Sequence, residues 1–318
     1  MGIEETVTED NFVRAETANY FGKQAAHTPV NTYSHHRVPV DVETQVIIRS
    51  NVDMIFSIAV VDVTEEAEFH LAPSEEYQVA QIIDENHYIV GVVYPGETFT
   101  LRNSDLSTGN HVYVLGRTST AGGLDRAHAL QDARRITAAT DNPYVPAAYD
   151  SVSLDAVRAS LEARSAEVDF GKAFGTPGST VPEQHLLGTA LGWGGLSPQH
   201  AQYFQGLITS SGCDAWTFDL PPLDYEHNGY FSVIKYDRNG WLDVARPGLT
   251  DRELERDDDG RITVWFGDRR CAGRPNTIEA TEGQRFYFGI RLYRPRDVDE
   301  IHRYIDRLRS SPAHPVTP

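Results

Sequence analysis

A histidine among acidic residues is the feature of this sequence that most suggests catalysis. The segment DENHY places His87 beside Asp84 and Glu85, at the end of a predicted strand. Because imidazole titrates close to neutral pH, His87 is suited to act as a catalytic acid or base, and a nearby carboxylate such as Asp53 would orient it. We predict Tyr88 of the same segment to bind substrate. The alternative interpretation is a polar surface turn.

Two cationic side chains and one aromatic are predicted to line the same site. Arg117 projects from the non-core face of the strand HVYVLGR and offers a fixed positive charge, so we assign it to the catalytic set. Trp193 in GWGG offers a flat stacking surface, although a packed elbow between helices would use the same residues. Lys235 would anchor an anionic ligand; the alternative is a charge that protects an edge strand.

Two further residues are predicted to bind substrate. His128 lies in HALQD, on one helical face with Gln131 and Asp132, and that face borders either a ligand or the packing surface beneath a sheet. Tyr293 lies on the face of the last strand that points away from its core. We predict a main pocket that combines these types of group, with the following lining: Asp53, His87, Tyr88, Arg117 and Trp193.

No metal and no cofactor are predicted. The adjacent His35 and His36 project differently, and they form no His-x-His or His-x-x-x-His pair with one another or with His87, His111 and His128. A Gly-x-Ser-x-Gly elbow, a phosphate-binding loop and a dinucleotide fingerprint are all missing from the sequence.

Charge and cysteine content restrict the partners and the compartment. The formal net charge of −18 makes nucleic acid and anionic membranes poor partners, so we expect a small-molecule substrate. The acidic N-terminus does not resemble a secretory signal. The two cysteines, Cys213 and Cys271, are interpreted as free thiols in a reducing cytoplasm.

The predicted elements give an α+β fold that is mainly β. Helix signals include Thr8 as a cap, Pro182 and Ser197 as helix starts, and an amphipathic C-terminal helix. Short alternating strands lie before and after a helical middle, which predicts two antiparallel jelly-roll-like β-sandwiches that flank a helical segment. The predicted divisions are an N-terminal helix and loop (1–44), a first sandwich (45–150), a helical connection (151–210) and a second sandwich with a C-terminal helix (211–318).

Two sequence echoes suggest that the sandwiches arose by duplication. IFSIAVVD resembles YFSVIKYD, and GNHVYVLGR resembles GQRFYFGIR at nearly the same separation. We therefore predict that Phe56 superposes on Phe231 and Arg117 on Arg291; the alternative is convergent strand composition. In the last strand, alternation directs four residues into the core, namely Phe286, Phe288, Ile290 and Leu292.

Several motifs occur in the order of a known tandem family. NVDMIFSIAVVD, QIIDENHY, GRT, AHALQD, HLLGTALGWGG, GYFSVIKYDRNG and RLYRP together resemble the family of domain of unknown function 1254 followed by domain of unknown function 1214. The resemblance implies two jelly-roll-like domains with helices, often in an oligomer. Where the family usually reads Asn-Arg-Asp-Thr-Leu-Tyr-Ser, this chain retains Asn51, Asp53 and Ser57, and we add Asn51 to the substrate-binding set.

The expected function is a cytoplasmic small-molecule enzyme that uses side-chain acid–base chemistry. Hydrolysis, or a lyase or cyclase step in specialised metabolism, would occur where the β domains meet the helical segment, in a homo-oligomer. The alternatives are a module that binds a carbohydrate or another small molecule without catalysis, and a structural oligomer. For an enzyme, replacement of His87 with alanine is expected to abolish turnover and to leave the melting temperature nearly unchanged.

Overall fold

The computed structural model describes residues 4–45, 48–311 and 313–315. The fold is α+β and mainly β, as predicted, and the chain forms two compact units. The first unit contains the described part of Met1–Arg37 together with Ile55–Thr118 and Leu124–Pro198. The second contains the described parts of Val38–Met54 and Gln199–Pro318, together with Ser119–Gly123.

The helices and strands of the described residues are numbered in chain order. The helices are α1 (Glu9–His27), α2 (Leu124–Asp132), α3 (Ser151–Glu162), α4 (Pro182–Gly192) and α5 (Val298–Ser310). The strands of the first unit are β1 (Ser34–His35), β2 (Met54–Asp62), β3 (Glu66–His70), β4 (Gln78–Ile83), β5 (Ile89–Val93), β6 (Thr98–Arg102), β7 (His111–Ser119) and β8 (Arg135–Ala138). Those of the second are β9 (Ala201–Thr209), β10 (Cys213–Phe218), β11 (Tyr230–Asp237), β12 (Gly248–Thr250), β13 (Ile262–Gly267), β14 (Thr277–Glu279), β15 (Arg285–Tyr293) and β16 (His314–Pro315).

The first unit is a sandwich of two sheets, with helices on one side. Its sheets have the strand orders β1-β2-β7-β4-β5 and β6-β3-β8. Strand alternation directs Val112 and Val114 of β7 into the sandwich core, as predicted, while Tyr113 packs on the opposite face against Phe21 of α1. That second face is therefore also buried.

The second unit has two sheets with the orders β12-β11-β15-β9 and β14-β13-β10-β16. Its core contains the four residues of β15 that were predicted to point inward, and their burial is confirmed. The apolar stripe of α5 packs on the same core, also as predicted, through Ile301, Tyr304, Ile305 and Leu308.

The two units share one strand plan. Listed by their order across each sheet, strands β2-β7-β4-β5 of the first unit correspond to β9-β15-β11-β12 of the second, and β6-β3-β8 correspond to β13-β10-β16. Equivalent strands also follow one another in the same order along the chain. The predicted equivalence of Arg117 and Arg291 agrees with this plan, since β7 corresponds to β15. The predicted equivalence of Phe56 and Phe231 is wrong, because β2 corresponds to β9 and β11 to β4. That echo reflects the composition that buried strands share.

Some predicted elements and boundaries differ from the structure. The segment predicted as a helix from Ser197 is strand β9, which pairs with β15 from Ala201 to Thr209, so sheet pairing overrides the local capping signal. The predicted strand TQVIIRSN is a turn in its described residues, and its Val46 and Ile47 lie outside them. The predicted helical connection is divided between the units, because α3 and α4 pack with α1.

The prediction of free thiols is wrong. Cys213 and Cys271 form a disulfide across 58 residues of sequence. Cys213 opens β10 opposite Gly267 at the end of β13, and the following turn returns Cys271 to the same place. Gly267 makes the approach possible, because a Cβ there would lie 2.7 Å from the Cys271 sulfur. Within the described ranges, no helix has the length and apolar character needed to cross a bilayer.

Candidate functional site

The predicted site residues fall into two groups, one in each unit. The first unit holds His87, Tyr88, Arg117, His128 and Trp193. The second unit holds the remainder, which are Asn51, Asp53, Lys235 and Tyr293.

His87 occupies a turn that the chain builds twice. Since Arg117 and Arg291 are equivalent, the strand registers make DENHY, after β4, equivalent to DRNGW, after β11. In both turns the aspartate accepts the backbone N–H groups two and four residues later, at 2.9 and 2.8 Å for Asp84 and at 2.7 and 2.9 Å for Asp237. His87, with φ +63°, therefore takes the place of Gly240, with φ +91°. Left-handed backbone favours glycine, so histidine is an unusual choice here.

The His87 imidazole is buried and both of its nitrogens are occupied. Nε2 accepts the Gly194 N–H at 2.8 Å, and Nδ1 lies 2.8 Å from Thr189 Oγ1. Thr189 donates its own proton to the His185 carbonyl, so the neutral imidazole carries its proton on Nδ1 and donates it to Thr189. Burial, assisted by His185, lowers the pKa of His87 well below its usual value. The predicted orientation of His87 by Asp53 is wrong, because groups of its own unit occupy both nitrogens.

The aromatic and cationic neighbours of His87 fasten the loop that contains Trp193. The Trp193 ring stacks between His87, at 5.0 Å, and Tyr20, at 4.1 Å. Arg117 donates to the Gly194 carbonyl at 2.6 Å and to Gln81 at 2.8 Å. Arg117 and His87 thus bind the carbonyl and the N–H of the same residue. This arrangement favours the packed-elbow interpretation of GWGG.

The other first-unit predictions are packing contacts. The Tyr88 ring lies parallel to His185 with the centroids 4.5 Å apart. His128 on α2 places Nε2 2.6 Å from the Arg37 carbonyl. Among the residues that the structure describes, no group of three or more His, Cys, Asp or Glu is arranged to hold a metal ion.

Replacement of His87 with alanine is expected to lower the free energy of unfolding by about 2–3 kcal/mol, since the Gly194 N–H would lose its buried acceptor. This differs from the sequence-based expectation of an unchanged melting temperature. His87→Gly should lower the free energy of unfolding by about 1 kcal/mol less than His87→Ala does, because glycine tolerates the positive φ. Gly240→Ala is the matched control and should cost about 1 kcal/mol for the same reason. Urea unfolding measures all three, and a His87→Ala protein as stable as the wild type would contradict the assignment.

Three of the predicted residues of the second unit come together around a buried carboxyl. Asn51 donates to the Tyr293 hydroxyl at 2.8 Å and accepts the Asp53 N–H at 3.0 Å. Tyr293 stacks on Tyr230 at 4.9 Å, and the Tyr230 hydroxyl donates to Asp53 Oδ2 at 3.3 Å. Asp53 is 5% exposed. The cluster orients one oxygen of its carboxyl.

The second oxygen of Asp53 is less well satisfied. Asp53 Oδ1 and the Ser232 hydroxyl are both buried, and neither has a hydrogen-bond partner among the described residues beyond the contact between these two side chains. Burial raises the pKa of Asp53, while the neighbouring Ser232 and the charge of Arg291 act in the opposite direction. A carboxyl in this state can exchange a proton at a higher pH than an ordinary aspartate.

Asp53 and Ser232 line a pocket that lies entirely within the second unit. The pocket has a volume of about 520 Å³, which suits a small molecule. Its walls combine polar groups with aliphatic side chains, and the aliphatic ones include Val38, Val40, Val42, Val52, Ile234, Val244 and Leu249. Arg246 and Glu253, which pair with each other at 2.8 Å, add charge to the lining.

Ser232 and the valine-rich lining were not predicted as site residues. Ser232 lies in YFSVIKYD, where the sequence signal concerned strand pattern, and alternation alone does not distinguish a pocket wall from a core wall. Lys235 of the same strand is buried and pairs with Asp243 at 2.6 and 2.9 Å. The edge-strand interpretation of Lys235 is wrong, since β11 lies between β12 and β15.

Comparison with known proteins relates the chain to two solved structures. The VPA0106 protein from Vibrio parahaemolyticus is similar over 92% of this chain and 94% of its own, with 17% identity and a TM-score of 0.67. An uncharacterized protein from Burkholderia cenocepacia is similar over 90% of this chain and 84% of its own, with 13% identity and a TM-score of 0.54. No family model and no curated protein sequence matches. At these identities the likeness establishes the fold alone.

Proposed function

We propose that the protein acts on a small molecule with an aliphatic part that binds in the second-unit pocket, with Asp53 as the acid–base group. The observation that carries the proposal is the buried carboxyl of Asp53 in the pocket lining, whose Oδ1 has no partner among the described residues apart from the neighbouring Ser232. A ligand group at this position would satisfy Asp53 and Ser232 together. The aliphatic walls would bind the remainder of the molecule by burial of apolar surface.

Elimination of water is the reaction that suits this arrangement best. The Asp53 carboxylate removes a proton from the carbon next to a carbonyl group. The carboxyl then gives this proton to the hydroxyl on the following carbon, the C–O bond breaks as the double bond forms, and water departs with Asp53 ionised again. This is a lyase reaction within the acid–base class expected from the sequence, and it requires neither a metal nor a nucleotide.

Binding without catalysis is the second candidate. In the described residues, the one other acid or base among the hydrogen-bond partners of Asp53 is the Tyr230 phenol, and Asn51 accepts from the Asp53 backbone. A single carboxyl is sufficient to select a ligand with a hydroxyl or ammonium group. Turnover distinguishes the two candidates.

The pocket can be tested with matched six-carbon probes, namely hexylamine, hexan-1-ol and hexanoate, by calorimetry at pH 8. We expect the protonated amine to bind at least about tenfold more tightly than the carboxylate, because the probe's charge meets the Asp53 carboxylate. Asp53→Asn should remove this preference. Asp251→Asn is the control, because burial also raises the pKa of Asp251, to about 6, outside the pocket lining. Equal binding of hexanoate, or an unchanged preference in Asp53→Asn, would contradict the proposal.

Turnover can be tested with 4-hydroxypentan-2-one, an aliphatic β-hydroxy ketone whose loss of water gives an absorbing enone. If Asp53 transfers the proton, Asp53→Asn should lower the rate by a factor of about 100 or more. Binding of the six-carbon amine without any dehydration would favour the binding function.

We also propose a family and a homo-oligomer. The ordered sequence motifs and the repeated strand plan support a tandem β-domain family such as domain of unknown function 1254 followed by domain of unknown function 1214. The edge strand β9, which leaves Tyr203 and Leu207 exposed, supports self-association.

The location also remains a proposal. The expectation of a cytoplasmic protein depended partly on free thiols. The disulfide between Cys213 and Cys271 instead supports an oxidising compartment.

A further inference from the structure

The inner face of the first sandwich is polar at one end, where the second sandwich is apolar. Strand register pairs Gln78 of β4 with Thr118 of β7, and the equivalent pair in the second unit is Phe231 with Leu292. The neighbouring Gly116 corresponds to Ile290. Phe231, Ile290 and Leu292 all belong to the second unit's apolar core. At these equivalent positions the first unit therefore has small or polar residues where the second unit has large apolar ones.

The guanidinium of Arg134 lies beside these smaller and polar residues. Arg134 is 4% exposed, and its Nη2 donates to the Arg117 carbonyl at 2.8 Å and to Thr118 Oγ1 at 2.9 Å. A Cβ on Gly116 would lie 2.5 Å from Arg134 Nη1, so only glycine admits the guanidinium at this distance. Thr118 thus accepts a hydrogen bond from Arg134, and Gly116 leaves room for its guanidinium.

Arg134 lacks a counter-charge. No carboxylate forms an ion pair with it in the described part of the chain, where the Tyr33 hydroxyl is the one further side chain that contacts the nitrogens not bound by Thr118 and the Arg117 carbonyl. Asp132, two residues before it, pairs instead with Arg37. A guanidinium does not lose its proton in proteins, and burial of an unpaired charge is costly. These observations point to an anion that completes the site.

Two neutral groups with unused hydrogen-bonding capacity lie at the same end of the sandwich. The Tyr33 hydroxyl is buried beside the Arg134 guanidinium and has no other hydrogen-bond partner among the described residues; the charge and hydrogen bonding of Arg134 oppose the rise in the Tyr33 pKa that burial causes. The Gln78 side chain is 1% exposed, and neither its amide nitrogen nor its oxygen has a partner among the described residues. Gln78 is the cross-strand neighbour of Thr118, which binds Arg134.

The remaining titratable group at this place is neutral. His35 places Nδ1 2.8 Å from Ser57 Oγ. Burial and the charges of Arg37 and Arg134 lower the pKa of His35 to about 4, against the opposite effect of Asp132. His35 therefore adds no charge at neutral pH, and the buried end of the sandwich has one net positive charge.

We propose that this end of the first sandwich binds a small monocarboxylate, with Arg134 as the ion-pair partner and Tyr33 and Gln78 as hydrogen-bond partners. One buried positive charge matches one negative charge, whereas a phosphate dianion would leave a net buried charge. A carboxylate has two oxygens that can accept from different side chains, and its planar shape suits a guanidinium better than a spherical chloride ion does. This site is independent of Asp53 and of the proposed lyase reaction.

Acetate is the probe, compared with chloride and inorganic phosphate at equal ionic strength and pH 7. We expect acetate to raise the melting temperature of the wild type by several degrees more than either other anion, because it binds the folded state alone. The protein's direct affinity for ¹³C-labelled acetate can be measured by NMR titration. An equal response to all three anions would be a general salt effect, and a larger response to phosphate would indicate a dianion site; either result would overturn the proposal.

Arg134→Met tests the assignment of the residue. It should weaken acetate binding at least tenfold, whereas Arg135→Met, which alters an exposed neighbour that donates only to backbone carbonyls, should leave it unchanged. Without acetate, Arg134→Met should be as stable as the wild type or more stable, because an uncompensated buried charge has been removed. A merely structural arginine would instead lose stability in every buffer.

Two milder variants keep the test decisive if Arg134→Met does not fold. Tyr33→Phe and Gln78→Leu each remove one hydrogen-bonding group and should each weaken acetate binding by about threefold to tenfold. Asp53→Asn should leave acetate binding unchanged, so a failure of this site and a failure of the proposed function are separable. Unaltered acetate affinity in both milder variants would overturn the proposed ligand set.

Discussion

Asp243→Ala is expected to destabilise the protein by about 3–5 kcal/mol, because it leaves the Lys235 ammonium buried without a partner. The Lys235 side chain is 0% exposed, and its Nζ lies 2.6 and 2.9 Å from the two Asp243 oxygens. The Phe286 ring, 5.3 Å away, would be its remaining electrostatic neighbour. A weak cation–π contact does not replace the carboxylate. Guanidinium chloride unfolding, with the slope compared between variants, measures the loss.

Lys235→Met is the matched control for this prediction. It keeps an unbranched apolar chain in the core and removes the charge, so it should cost less than about 1.5 kcal/mol. Adding Lys235→Met to Asp243→Ala should restore most of the lost stability, since the buried charge disappears. If Asp243→Ala and Lys235→Met each lower the free energy of unfolding by the same small amount, the ion pair contributes little to stability and the buried ammonium has other partners.

Loss of the disulfide between Cys213 and Cys271 is expected to cost about 4 kcal/mol. The bond closes a loop of 58 residues, and a crosslink of that length removes much conformational freedom from the unfolded chain. The double variant Cys213→Ser/Cys271→Ser should therefore unfold at lower denaturant concentration than the oxidised wild type. Reductant should lower the stability of the wild type to a similar level.

The same double variant supplies the control for the reductant. With no disulfide to reduce, its stability should be insensitive to dithiothreitol. Native wild-type protein should also give no reaction with a thiol-specific reagent until it is denatured and reduced. Two titratable thiols in the native protein would contradict the disulfide and restore the interpretation of a reducing compartment.

Local signals in the sequence predicted much of the secondary structure. Helix α1 follows the predicted cap at Thr8, α4 begins at Pro182, and α5 buries its predicted stripe. These features depend on residues within a few positions of one another. The segment after Ser197 has an equally good helix signal, yet it forms β9 because β15 offers a full ladder of backbone hydrogen bonds.

The candidate sites were only partly predictable. Asn51, Asp53 and Tyr293 were predicted from the sequence and lie together, but the reason that Asp53 stands out is that its carboxyl is buried with only Ser232 beside Oδ1. His87 was selected for its intrinsic pKa, which burial and two hydrogen bonds change. Arg134 was not predicted as a site residue, because arginine is mostly exposed in proteins and its burial depends on neighbours that are distant in sequence.

The features that the sequence by itself determined are local. They are the alternation that directs every second side chain of β7 and β15 into a core, the helix caps, and the two turns in which an aspartate accepts the N–H groups two and four residues later. Tertiary structure alone decided that β2 corresponds to β9, that Cys213 meets Cys271, that Lys235 has Asp243, and that Arg134 lies in a sandwich core. The physical reason is the range of the interactions. Turns and caps are set by dihedral preferences and hydrogen bonds between near neighbours, whereas burial and unmatched charge depend on residues that are distant in sequence and meet only after the sheets have packed.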